Sequence, residues 1–328
     1  VTLGVHVDPG QVAFTLVDLR GSVLAKKMFR PDEDLGPEAT VDLVADQAEA
    51  LLEASGYEKS SVLGLGVAVP GPIDLDRGSA LHPPLMDGWG DVDLVDPLAQ
   101  KLGLEVILSK DTVATASAEQ WLGTGVGARD FICVYVGVGV GVGLVLGGQI
   151  MQGQTGNTGE LGHMSTGECR DRECAVCGRN DCVAVNLNYE TIVARGKAAG
   201  LDLPDVSEAS VPEKLAAAER VFELGRAGDP AARAIALELA GLVARAVGNV
   251  ASLVDVDQVV VCGPVWEAVK DFAEAPVAEI VAGSFHGSLA RPVTVRTSEL
   301  GPGVCAVGAA CVVLDELVSP KTSGLLLL

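Results

Sequence analysis

Five side chains able to bind a soft metal lie within one twenty-residue stretch: His163, Cys169, Cys174, Cys177 and Cys182. Zinc takes four sulfur or nitrogen ligands in a tetrahedron, and a short turn-rich loop can present them. The segment Cys174-Ala-Val-Cys177-Gly178 lets two thiolates converge from one tight turn, with Gly178 relieving the backbone. The alternative is a set of buried thiols acting as small hydrophobes. It fits poorly, because the same loop carries Glu168, Arg170, Asp171, Arg172, Glu173, Arg179, Asn180 and Asp181. The spacing therefore predicts a structural Zn²⁺ held by His163, Cys174, Cys177 and Cys182, with Cys169 as the spare thiol.

The elements that must position this loop alternate between strand and helix. Thr2 to Val7 and Val12 to Asp18 form a hairpin around Asp8-Pro9-Gly10-Gln11, and a turn at Arg20-Gly21 leads to a strand at Ser22 to Phe29. Val41, Leu43, Val44, Ala48, Leu51 and Leu52 supply one apolar face and predict a helix over Thr40 to Ser55. Val62 to Val69 is an apolar strand ending at Pro70-Gly71-Pro72. Val92 to Leu102 reads as helix, Glu105 to Leu108 as a short strand, and Thr112 to about Gly123 as a helix of small residues. Asp111 is placed to cap that last helix.

A new unit begins near Asp130. Phe131 to Gly137, a Gly-rich turn, and Gly141 to Leu146 echo the opening hairpin at an offset of about 128 residues. A strand–Gly turn–strand unit opening each half predicts a duplicated α/β architecture. Helices follow at Asn186 to Ala199, Pro212 to Ala227 and Pro230 to Val254. Val259 to Val261 is a buried strand, Gly263-Pro264 opens a helix to about Ala282, Val293 to Thr297 is a strand, and Val304 to Val318 is the last helix. The division expected is residues 1–115, joined by the last helix (about 304–318), residues 116–303 with the metal loop at 163–182, and a flexible tail at 319–328.

Composition narrows the function classes. Forty-four acidic against twenty-three basic side chains give a net charge of −21 over 328 residues. Such a surface repels phosphate backbones and suits neither DNA nor an anionic membrane. Cys133, Cys262, Cys305 and Cys311 sit in apolar runs, which fits a reducing cytoplasm rather than a disulfide framework. Phe131 to Gly148 carries no charge for eighteen residues. Its alternating Gly137, Gly139, Gly141 and Gly143 have period two, however, so it reads as strands and a turn rather than a membrane span.

The chain resembles the ROK family, which groups bacterial sugar kinases with sugar-responsive transcriptional repressors. The resemblance rests on Leu3-Gly4-Val5, Val69-Pro70-Gly71-Pro72, Gly88-Trp89, Lys110-Asp111, and Gly139 to Gly143. It continues through Gly159-Glu160-Leu161-Gly162-His163, the Cys loop, Val261-Cys262-Gly263 and Gly308-Ala309-Ala310. It implies an α/β fold of two actin/hexokinase-like (duplicated ribonuclease H-like) domains hinged around a cleft, with a zinc-binding loop. It also implies ligand binding by Gly71, Lys110, Asp111, Glu160 and His163, with Asp111 at the position of the kinases' catalytic base and His163 serving both zinc and sugar.

Departures from the kinase pattern decide between the two branches. Kinases open with Asp-x-Gly-Gly-Thr, whose Asp helps hold Mg²⁺ and whose backbone N–H groups turn around ATP phosphates. Here the register places His6 at the Asp position, and Asp8-Pro9-Gly10-Gln11 replaces the Gly-Gly-Thr run. Asp8 adds negative charge, and Pro9 removes a donor. Val138 stands where kinases carry a Thr hydroxyl, so the glycines from 137 to 143 read as a packing device. Lys110 replaces an Asn that binds sugar, and Ala184 replaces a Glu. Together they imply an altered ligand, one bearing negative charge, or loss of sugar binding.

Other residues keep bland readings. Glu160 alone reads as a surface carboxylate, His6 as a core or cleft histidine, and Trp89 as either a cleft-mouth or a buried side chain; His82 and His286 receive no role. The expectation is the effector-sensing and oligomerisation region of a cytoplasmic ROK-type regulator that binds a sugar or sugar derivative and forms a homodimer or homotetramer. DNA contact would come only through a winged helix-turn-helix before Val1, which this chain does not contain. The alternative is a sugar kinase using ATP and Mg²⁺ with Asp111 as base.

Overall fold

The computed structural model describes residues 1–31, 35–84, 86, 88–137, 139–285 and 293–318. Val138, His286 and the tail 319–328, on which sequence expectations fell, lie outside the described residues.

Two five-stranded sheets with the same topology make up the frame. In the first, β1 (Thr2–Asp8) pairs antiparallel with β2 (Gln11–Val17), and β2 with β3 (Val23–Phe29). On its other side β1 runs parallel to β4 (Leu65–Val69), and β4 to β8 (Val106–Lys110). The second sheet repeats this order with β9 (Phe131–Val136), β10 (Val140–Leu146), β11 (Gln149–Ile150), β12 (Gln258–Cys262) and β13 (Thr294–Thr297). Duplication is thus written into strand order as well as sequence. A small sheet of β5 (Ile73–Asp74), β6 (Ser79–Leu81) and β7 (Asp91–Asp93) sits beside the first half.

The repeat is imperfect at one place that matters. β1 and β2 stay paired out to Asp8 and Gln11, leaving only Pro9 and Gly10 as the turn. Gly10 has φ +80°, the conformation glycine supplies after a turn-initiating proline. β9 and β10 pair out to Val136 and Val140, so their connection is one residue longer.

Helices fill the faces of the sheets: α1 (Pro37–Ser55), α2 (Val95–Leu102) and α3 (Asp111–Leu122) in the first half, then α4 (Val183–Leu187), α5 (Tyr189–Ala198), α6 (Val211–Arg226), α7 (Pro230–Val254), α8 (Pro264–Ala282) and α9 (Val304–Leu317). α1 starts three residues before Thr40, because Pro37 is pre-organised for a first helical turn and Thr40 hydrogen-bonds back to Gly36. The expected helix over Val92 to Leu102 splits. Val92 pairs with Ala80 in the small sheet, and the helix begins only at Val95. The expected helix over Asn186 to Ala199 also breaks, at Asn188, whose extended backbone lets its side chain accept from the N–H groups of Glu190 and Thr191. Asp111 is the first residue of α3 rather than its cap; Lys110 holds the cap position.

α3 and α9 cross at the centre and tie the sheets together. A Cβ on Gly308 would lie 1.7 Å from the Ala114 carbonyl oxygen, so the two backbones touch. Gly143 of β10 is as tight: a Cβ there would lie 2.3 Å from the Thr112 carbonyl oxygen of α3. The Gly-Val alternation therefore serves close packing of α3 on β10. The charge-free stretch from Phe131 forms the strands β9 and β10. α7 is, among the described residues, long and apolar enough to cross a membrane, yet 61% of its apolar window is buried in the protein, where it packs against α6 and α8.

Candidate ligand cleft and metal centre

The Cys-rich loop folds the four predicted side chains onto one point. His163, at the end of a 3₁₀ turn, and Cys174, Cys177 and Cys182 bring their ligand atoms within 4.8 Å of one another. A tetrahedron with Zn–S bonds of about 2.3 Å and Zn–N bonds of about 2.0–2.1 Å has a sulfur–nitrogen edge of about 3.6 Å. The 3.8 Å between Cys174 Sγ and His163 Nδ1 is close to that edge. Cys182 sits at the N-terminus of α4, where its sulfur accepts from the Val185 N–H, and Cys174 is turned by a Gly178 N–H bond to its own carbonyl. The donor set fits zinc. Cys169 is exposed and stands outside the cluster.

The same histidine faces the cleft between the halves. Its Nε2 lies 3.6 Å from Glu160 Oε2, so one ring nitrogen points at the sulfurs and the other at a cleft carboxylate. The cleft encloses about 470 Å³ and is lined by Gly71, Lys110, Asp111, Glu160 and His163, the five residues singled out from the sequence, together with Asp8, Pro9, Tyr135 and Ala184. That volume suits a monosaccharide-sized ligand. Ala184 leaves the wall beside Gly162 without a carboxylate.

Lys110 is buried, and its ammonium is fully occupied within the protein. Nζ donates to Glu160 in a short ion pair, to the Thr158 carbonyl at 3.1 Å and to the Asn157 carbonyl at 3.5 Å. The expectation of a negatively charged ligand rested on that charge, which Glu160 neutralises. Asp111 accepts the Thr112 N–H at 2.6 Å. Burial pushes its carboxyl up from 3.8 to about 6, with Lys110 and the Thr112 N–H pulling the other way.

On the hairpin side, His6 and Asp8 share one face of β1. His6 is buried, its ring stands edge-on to Tyr135 of β9 at 5.9 Å, and burial lowers its pKa to about 3. It carries no charge at neutral pH, and its Nε2 finds no partner among the described residues. Asp8 is also buried; desolvation and the charge of Asp111 raise its pKa well above the usual carboxylate value. The Pro9-Gly10 turn offers one N–H in place of a cradle of donors. These residues do not fit an ATP phosphate chain with its Mg²⁺.

A model of the ROK family matches residues 2–316. The chain belongs to the ROK family. Among its ROK relatives, the glucokinase of Thermotoga maritima is 29% identical over 319 residues, covering 95% of this chain and 98% of that protein. The glucokinase of Halalkalibacterium halodurans is 27% identical, covering 96% and 95%. The xylose repressor of Caldicellulosiruptor bescii is 23% identical, covering 97% of this chain and 79% of the repressor. Of solved ROK structures, a glucokinase from Streptomyces griseus in complex with glucose and AMPPNP superposes with a TM-score of 0.76 at 25% identity, over 95% of this chain and 98% of that one. A transcriptional regulator described as a homolog of the E. coli MLC protein gives 0.75 at 20%, over 95% and 77%, and so speaks for the fold alone. The actin/hexokinase-like α/β fold follows from these matches and from the duplicated sheets.

Sequence reasoning passed over three cleft residues. Tyr135 looked like one more apolar strand position, Arg172 like solvated loop charge, and His82 like an unassigned histidine. All three line the cleft, and His82 pairs with Asp91 at 2.9 Å. The alternation on β9 marks which side chains share the Tyr135 face, but only the approach of the two halves makes that face a cleft wall.

Proposed function

We propose that this chain is the effector-sensing and self-association region of a ROK-type transcriptional regulator, with a cleft that takes a sugar or sugar derivative. The observation that carries this reading is the hairpin: a neutral, buried His6 and a two-residue Pro9-Gly10 turn stand where phosphotransfer needs a metal-binding carboxylate and a ring of N–H donors.

The working parts follow from the geometry. Glu160 Oε2 and His163 Nε2 present an acceptor and a ring nitrogen to ligand hydroxyls, and Asp111 offers a further acceptor across the cleft. Zinc, when bound, fixes the ring of His163. His163, Cys174, Cys177 and Cys182 would hold it, with no position left open. Ligand bridging the two halves favours a closed arrangement over an open one, by as much as its affinities for the two differ. The α3–α9 crossing is where such a change in relative orientation would be felt. In this reading the chain is cytoplasmic and forms a homodimer or homotetramer. DNA contact, in the same reading, is made by a winged helix-turn-helix and not by the residues of the cleft.

A second reading, an ATP- and Mg²⁺-dependent sugar kinase, is favoured by the higher identity to glucokinases and by Asp111, whose raised pKa suits a general base. The sensing reading is tested by melting zinc-replete protein against a panel of hexoses and hexose derivatives. A ligand-dependent rise that disappears in Glu160→Gln supports it, and no rise with any member of the panel counts against it.

A further inference from the structure

Lys110 and Asn157 clasp the two halves of the chain from opposite directions at one side of the cleft. Lys110 ends β8 in the first half, and its acceptors belong to the second: the Glu160 carboxylate, the Thr158 carbonyl at 3.1 Å and the Asn157 carbonyl at 3.5 Å. An ammonium has three N–H donors, so these three acceptors use all of them. Asn157 reaches back the other way. Its Oδ1 accepts from the Ile73 N–H of β5 at 2.7 Å, and its Nδ2 donates to the Ile73 carbonyl at 2.8 Å. Gly71 gives the pair room to pass, since a Cβ there would lie 2.9 Å from Lys110 Cε and 3.3 Å from Asn157 Oδ1. Glu160, the acceptor offered to ligand hydroxyls, thus already holds a donor on Oε1 and faces His163 through Oε2.

We propose that Lys110 is the chain's own stand-in for a ligand: its ammonium occupies Glu160 and bridges the halves, so that a sugar enters only by displacing it. This rests on the sensing reading and adds to it the group that sets the threshold for binding. A ligand hydroxyl would replace a charge-assisted bond to Glu160 with a neutral one, which is weaker. It would also separate a buried cation from its carboxylate, and a buried charge without a partner is costly. Both effects weaken sugar binding for as long as residue 110 carries an ammonium. The bridge meanwhile holds the sugar-free chain in the arrangement that a bridging ligand would favour, so sugar has less left to shift. An anionic sugar gains nothing from Lys110, whose donors are spent and whose neighbour is a carboxylate.

The test is calorimetry on the zinc-replete parent, Lys110→Asn and Lys110→Met, against neutral hexoses and their phosphorylated or uronic-acid forms. At least one neutral hexose is expected to bind both variants about tenfold or more tighter than the parent. Met keeps the stem beside Gly71 and removes only the ammonium. A gain confined to Asn would mean that the stem merely fills space, and overturns the inference. Without sugar, amide exchange over residues 157–161 should be slow in the parent, several-fold faster in Lys110→Met, and slowed again when sugar is added. Exchange as fast in the parent as in Lys110→Met also overturns it. Neutral hexoses that bind parent and variants equally overturn the inference and leave the sensing reading intact. Binding by the variants alone supports the inference and removes sensing of that sugar from the parent. An anionic sugar that binds the parent about tenfold tighter than its neutral form, with the preference lost in Lys110→Met, makes Lys110 a ligand contact and the inference wrong. Failure of every sugar to bind any of the three proteins overturns both readings.

Discussion

Replacing Asp111 with Asn should stabilise this protein at neutral pH. The side chain keeps its shape and an oxygen for the Thr112 N–H, but no longer holds a desolvated negative charge. A carboxyl whose pKa rises from 3.8 to about 6 on folding binds its proton more tightly in the native state. The native state is therefore favoured below the unfolded value, and that advantage is lost as pH climbs through about 6. Roughly two pKa units correspond to about 3 kcal/mol, an upper figure because local relaxation reduces it. Asn does not titrate, so Asp111→Asn should exceed the parent by up to about 3 kcal/mol near pH 8 and by roughly half of that near pH 5. Urea unfolding followed by circular dichroism, repeated at both pH values with zinc present, reads the difference directly. A variant less stable than the parent near pH 8, or a gain that does not change with pH, would refute the reasoning.

Other expectations follow from the same geometry. Purified protein should carry about one zinc per chain; Cys182→Ala should lose it and expose the 163–182 loop to limited proteolysis, while Cys169→Ala should keep metal and loop intact. Metal analysis and a protease time course decide both. Gly308→Val should destabilise by more than about 3 kcal/mol, or prevent folding, because its side chain has only the Ala114 backbone to occupy. Asp315→Ala should cost roughly 1–3 kcal/mol, since it strips partners from Ser117 and from the Trp121 indole, and thermal melts should register it.

What could be read from the residues was local. Period-two runs gave β1, β2, β9 and β10, the run from Pro230 to Val254 gave α7 to the residue, and the spacing of His163 and three thiols marked the side chains that the fold groups together. The misplacements came from tertiary pairing. Val92 joined a strand because Ala80 was there to pair with it, and Asn188 broke a helix because its side chain could cap the next one. The cleft was half legible. Its five expected residues do line one cleft, yet the sequence shows Lys110 as a free positive charge, whereas the fold buries it against Glu160. Asp8 and Tyr135 are 127 positions apart on separate sheets, and no local pattern announces that they share a floor.

The central claim is that the cleft senses a sugar and does not transfer phosphate to one. It is tested most directly by an ATP-dependent phosphorylation assay on zinc-replete protein with Mg²⁺, over hexoses and amino sugars. The account predicts no turnover with any acceptor, alongside a sugar-dependent rise in melting temperature. Turnover that Asp111→Asn abolishes would contradict it and make the chain a kinase.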